Sequence, residues 1–114
     1  MENISNILDN ITESIKTLNP LKIILFGSLS RGDFSEESDL DLYVALNVDK
    51  MPVSYDEKLQ YKILVRNKIL DISKQIPIDL IVHTKPMYER FLNINSLFSK
   101  EVLLHGKTLY ESNI

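Results

Sequence analysis

Apolar residues recur at Ile4, Ile7, Leu8, Ile11 and Ile15, the spacing that lines one face of an α-helix. The pattern predicts a helix over about residues 3–17, stopped by Asn19-Pro20, since proline cannot continue a helix. Residues 21–26 form a short apolar run, β-branched in part, which suits a buried strand. Gly27-Ser28 ends that run, and the polar stretch 29–38, with Gly32 inside it, is expected to hold a loop and one short helical turn. Leu40, Leu42, Val44 and Leu46 then alternate with Asp39, Asp41, Tyr43 and Ala45. A period of two is the strand signal; it turns the leucines into a core and the aspartates outward.

Met51-Pro52 breaks the chain. Ser54-x-x-Glu57 reads as a capping box, with a helix from about 55 to 73 behind it. Pro77 closes that region, and Ile78, Leu80 and Val82 alternate with Asp79, Ile81 and His83 in a third strand. Pro86 suits the first turn of a helix. Residues 87–103 read as mostly helical, with a break near residues 93–96. Gly106 suits the C-cap, and Thr108-Leu109-Tyr110 a short closing strand. No internal repeat or linker interrupts this order of helix, strand, short helical turn, strand, helix, strand, helix. It implies a mixed α/β (α+β) fold, a small sheet flanked by helices.

At 114 residues the chain is expected to form one domain over residues 1–114, with no second lobe. Its apolar fraction of 44% and charged fraction of 25% are ordinary for a globular protein. No run approaches a membrane span, and no signal-peptide pattern opens the chain. There is no cysteine, so disulfides and thiolate metal sites are excluded and a cytoplasmic setting is expected. A net charge of −3 gives no basic footprint for DNA or RNA. A nucleotide remains compatible, because a metal ion can neutralise its phosphates locally.

Asp39 and Asp41 stand two apart on a strand, so their Cα atoms are about 6.5–7 Å apart and their side chains leave one face. Carboxylates so placed can bracket two Mg²⁺ ions about 3.5–4 Å apart. Mg²⁺ commonly pairs one or two carboxylates with substrate phosphates. If the third strand neighbours the second, Asp79 joins the same face. Three such carboxylates without a cation would repel and raise one pKa; with metal bound all three stay ionised, and Asp79 could help deprotonate an attacking hydroxyl. Gly27 permits close backbone approach. Ser28 offers a hydroxyl and an N–H to a phosphate, and the guanidinium of Arg31 a forked contact.

Each feature also has an ordinary reading: Gly-Ser as a plain turn, Asp-x-Asp as a solvated strand face, Asp79 as an acid on an edge strand. Their order and phase together favour a site. Arg31-Gly32-Asp33 reads as a coincidental adhesion tripeptide. His83, about 13 Å along the strand from Asp79, reads as a strand-end surface histidine, and His105 as a residue facing a helix C-terminus. Lys22 and Lys85 read as solvated. Tyr43 shares the aspartate face and either stacks on a base or lines the cleft.

The string Gly27-Ser28-Leu29-Ser30-Arg31-Gly32-Asp33, followed by Ser38-Asp39-Leu40-Asp41-Leu42, resembles the signature of the DNA polymerase β-type nucleotidyltransferase superfamily. That signature is a Gly-Ser pair, about ten residues, Asp-x-Asp, and a later acid on another strand. The chain as a whole resembles a minimal nucleotidyltransferase (MNT) domain, the catalytic core alone. The resemblance implies that Asp39 and Asp41 bind two catalytic Mg²⁺ ions, that Asp79 completes the triad, and that Gly27 and Ser28 hold the triphosphate. Arg31 and Gly32 match the minimal subgroup as well. Leu29 departs from the arginine many minimal members carry there, which implies either weaker triphosphate binding or more reliance on Arg31. Minimal members resemble antitoxins paired with an all-helical HEPN ribonuclease toxin. The implied activity is transfer of AMP from ATP to a tyrosine of that partner. Two other readings stay open: an interaction protein that neutralises its partner by occlusion, and a small-molecule nucleotidyltransferase of the antibiotic-modifying type. The chain could also be an oligomer.

Overall fold

The computed structural model describes residues 3–27, 30 and 39–112. The elements run α1 (Ile4–Lys16), β1 (Pro20–Phe26), β2 (Leu40–Leu46), α2 (Tyr55–Lys68), α3 (Leu70–Ser73), β3 (Ile78–His83), α4 (Lys85–Ile94), α5 (Leu97–Leu103) and β4 (Lys107–Glu111). The four strands form one sheet in the order β3-β2-β1-β4. β1 is antiparallel to both β2 and β4, and β2 is parallel to β3. A parallel pair needs a crossover, which α2 and α3 supply.

α1 starts where the Asn3 side chain accepts the Ser5 N–H at 2.8 Å and buries Ile7, Leu8, Ile11 and Ile15, the face that the spacing predicts. Ile11 and Ile15 are fully buried, each contributing about 1.5–3 kcal/mol of transfer free energy. Asn19 then takes a left-handed φ of 53° and turns the chain into β1. This helix and α2 cover one sheet face, where Ile23, Leu25, Leu40, Leu42, Val44, Leu46, Val65 and Leu80 form the first core. α4 and α5 cover the other, where Ile24, Phe26, Tyr43, Ala45, Phe91 and Val102 form a second.

Three expectations change. The helix predicted over 55–73 is interrupted at Ile69, which is non-helical at φ −119°, ψ 20°. Ile69 is buried in the first core, with Ile72 and Ile76 packed against it; holding all three there while returning to β3 requires a change of axis. The capping box is half made: Ser54 Oγ accepts the Glu57 N–H at 3.2 Å, but the Glu57 carboxylate accepts from Val53 and pairs with Lys50 at 2.9 Å. Gly106 is not the C-cap of α5, which is Leu104. It lies two residues on, where a Cβ would collide with the Val102 carbonyl and Ile24. The break between α4 and α5 falls at Asn95, left-handed at φ 55°, inside the predicted interval.

Candidate active site

The start of β2 is tied to the start of β3 by the Leu40 N–H, which donates to the Pro77 carbonyl at 2.9 Å. From that tie the parallel register follows, and it sets Asp41 level with Asp79. On its other side Asp41 is level with Phe26, the last residue of β1. Alternation puts Asp41 on the face of Tyr43, and Asp79 on the face of Ile81 and His83. The two carboxylates thus share one face on adjacent strands. Asp39 stands exposed just before β2 begins.

Asp79 is exposed and Asp41 half-buried. Burial pushes the Asp41 carboxyl above the usual carboxylate range, and the negative charges of Asp79 and then Asp39 push it further. All three acids are therefore close enough to repel at Asp41. Gly27 closes the site from β1. Its φ of +78° is a left-handed conformation, and a Cβ there would collide with Asp41 Oδ2. Only glycine lets the turn lie against that carboxylate without strain. The Gly27 carbonyl accepts the Ser30 N–H at 3.2 Å and its hydroxyl at 2.7 Å, which pins the turn. Ser28, Leu29 and Arg31, and the helical turn expected within 29–38, lie outside the described residues.

Among the described residues no three acids or histidines close into a cation cage. The oxygen donors nonetheless fit Mg²⁺: they are hard, they repel one another at Asp41, and Mg²⁺ is commonly completed by substrate phosphate. Asp39, Asp41 and Asp79 are the residues that could hold it.

The aspartate face is not open along its whole length. Tyr43 and Ala45 are fully buried beneath α4 and α5. Tyr43 stacks on Phe91 at 5.0 Å, and its hydroxyl lies 2.7 Å from His83 Nδ1. It neither stacks on a base nor lines a cleft. Burial pushes its hydroxyl far above the usual phenol range, with Tyr88 adding to the shift. His83 is no surface histidine either: it is half-buried, edge-on to Phe91 at 5.2 Å. Burial, and then the charge of Lys58, lowers its pKa. Lys22 pairs with Glu111 at 3.6 Å, four residues back along β1 from Phe26.

Sequence reasoning missed Lys62 and Arg66 of α2. They line, with Asp79, a cleft of about 310 Å³. Their four-residue spacing was visible in the chain; their place beside Asp79 needed the fold.

The family described as Polymerase beta, Nucleotidyltransferase matches residues 2–114. Two proteins of Methanocaldococcus jannaschii, named as candidate protein adenylyltransferases, are similar. One is 36% identical over 89 residues, covering 78% of this chain and 77% of the relative. The other is 32% identical over 81 residues, covering 71% and 77%. Among solved structures, a toxin-antitoxin with AMP-PNP superposes with a TM-score of 0.60 at 18% identity, over 93% of this chain and 74% of that one. A mutant of the toxin-antitoxin MntA-HpeT gives 0.50 at 14% identity, over 98% and 75%. At these identities the two structures speak for the fold.

Proposed function

Because the chain belongs to the polymerase beta nucleotidyltransferase family, we propose that it moves AMP from ATP to a hydroxyl of a protein partner, as the antitoxin of a toxin-antitoxin pair. The observation that carries this reading is the register that sets Asp79 level with Asp41 while Gly27 closes on Asp41 from the opposite strand. Relatives named as candidate protein adenylyltransferases support the reaction class, and structural likeness to toxin-antitoxin proteins supports the setting.

Asp39, Asp41 and Asp79 would hold two Mg²⁺ ions, which when bound neutralise the triphosphate and stabilise charge at the α-phosphorus. The chain supplies the rest. Gly27 keeps the backbone against Asp41 so that the triphosphate can approach. Ser28 and the Gly27 backbone would place the β- and γ-phosphates, and Arg31 would add a further phosphate contact. Asp79, exposed beside the half-buried Asp41, faces the acceptor and takes its hydroxyl proton. The acceptor oxygen bonds to the α-phosphorus, the bond from that phosphorus to the bridging oxygen breaks, and pyrophosphate leaves. The acceptor is a tyrosine of a helical, HEPN-type toxin. A small core depends on its partner to position that hydroxyl, and positioning carries much of the rate in phosphoryl-type transfer. No described helix is long and apolar enough to cross a membrane, and the reading places the pair in the cytoplasm.

Incubating the chain with a HEPN-type toxin partner, ATP and Mg²⁺ should raise the toxin's mass by one or more AMP units, and Asp39→Asn should abolish the gain. An unmodified toxin that is still fully inhibited would defeat transfer and favour occlusion.

A further inference from the structure

Lys58, Lys62 and Arg66 follow one another at four-residue spacing on α2, so they stack on one face of the helix. Like charges so placed destabilise a helix. Among the described residues none of the three is paired with a carboxylate, whereas Lys16, Lys22, Lys50 and Lys74 all are. In a chain of net charge −3 this is a local excess of positive charge.

Its position gives it a use. Lys62 and Arg66 line the cleft of about 310 Å³ that also contains Asp79. Lys58 lines a second hollow of about 370 Å³ with His83 and Arg90. Asp79 and His83 lie toward opposite ends of β3, so the stripe runs the length of that strand. β3 is an edge of the sheet, and an edge strand offers backbone N–H and C=O groups to an incoming extended segment.

We propose that the Lys58, Lys62 and Arg66 stripe and the outer edge of β3 together dock an acidic, extended segment of the acceptor protein, which pairs with β3 and delivers its hydroxyl beside Asp79. The inference rests on the transfer reading above and deepens it by naming the acceptor's chemistry. Three cations beside a strand edge suit a peptide backbone with acidic side chains. Nucleic acid would call for a wider basic footprint than this acidic chain has.

A random copolymer of glutamate and tyrosine serves as the probe, with a lysine–tyrosine copolymer as control. Binding is read by fluorescence anisotropy and AMP incorporation from α-labelled ATP. The glutamate–tyrosine copolymer should bind and the control should not. The double variant Lys62→Glu/Arg66→Glu should weaken copolymer binding about tenfold or more. Lys62→Gln/Arg66→Gln, which removes the charges without reversing them, should fall between. Equal copolymer binding by the charge-reversed variant overturns the proposal. So does a single-stranded RNA that binds as tightly and shows the same loss. Binding that depends on the stripe without AMP incorporation would leave the docking surface standing and defeat transfer. AMP incorporation indifferent to charge reversal would do the opposite.

Discussion

One face of the sheet meets two different fates along its length. At one end Tyr43, Ala45 and Ile81 lie under α4 and α5, locked by Phe91. At the other, two residues earlier on the same strands, stand Asp41 and Asp79, with Asp79 exposed and Asp41 half-buried. The alternation of residues is identical at both ends. What differs is the layer above. An aromatic and a small residue on that face become core where helices reach them, and the carboxylates lie where water or a ligand can. Period two therefore says which face a side chain takes, not what covers it.

The sharpest separation of the two ends is by stability. Phe91→Ala should cost about 3–5 kcal/mol in denaturant unfolding, because Phe91 stacks on Tyr43 and meets His83 and Phe98 edge-on. Asp41→Asn should cost nothing or stabilise slightly, since it removes the repulsion from Asp79 and Asp39. A destabilising Asp41→Asn with a neutral Phe91→Ala would reverse the comparison.

Gly27→Ala joins both effects at the boundary. The left-handed backbone should cost about 1–2 kcal/mol, and the methyl group must displace the Asp41 carboxylate. Nucleotidyl transfer should fall by more than the stability loss explains, as kinetics under fully folded conditions would reveal. Tyr43→Phe should do the converse: about 1 kcal/mol of stability lost with the His83 hydrogen bond, and no change in nucleotide affinity. A large fall in affinity would restore Tyr43 as a base-stacking residue.

The smallest effect is a pH dependence at the covered end. His83 has a lowered pKa in the fold, so the unfolded chain, titrating near about 6.5, binds the proton first on acidification. This contribution to stability is complete above that pH and declines as pH falls through it toward the folded value. The groups around His83 agree with that sign: Tyr43 holds Nδ1, and Lys58 and Arg90 line the same hollow. Melting temperatures from about pH 7.5 to 5 should fall more steeply for the wild type than for His83→Gln.

The sequence made the strands, their faces and the common face of Asp41 and Asp79 legible, because alternation and spacing are local. It did not reveal that Tyr43 is buried and His83 half-buried, because both pack against Phe91, which lies on α4, far from Tyr43 in the chain. Nor did it reveal the turn at Ile69, where apolar spacing continued through a change of helix axis. Lys58, Lys62 and Arg66 were visible as a helical charge stripe, but only the α2 packing beside β3 gives that stripe a neighbour in Asp79. Ser28 and Arg31 rest on the sequence signature alone.

The central claim is that the uncovered end of this face is a cation-assisted nucleotide site. Calorimetric titration of a non-hydrolysable ATP analogue tests it most directly, with and without Mg²⁺, on the wild type and Asp41→Asn. Binding should require Mg²⁺ and should be lost in Asp41→Asn, whose fold remains intact by circular dichroism. Equal affinity with and without Mg²⁺, or full affinity in Asp41→Asn, would contradict it.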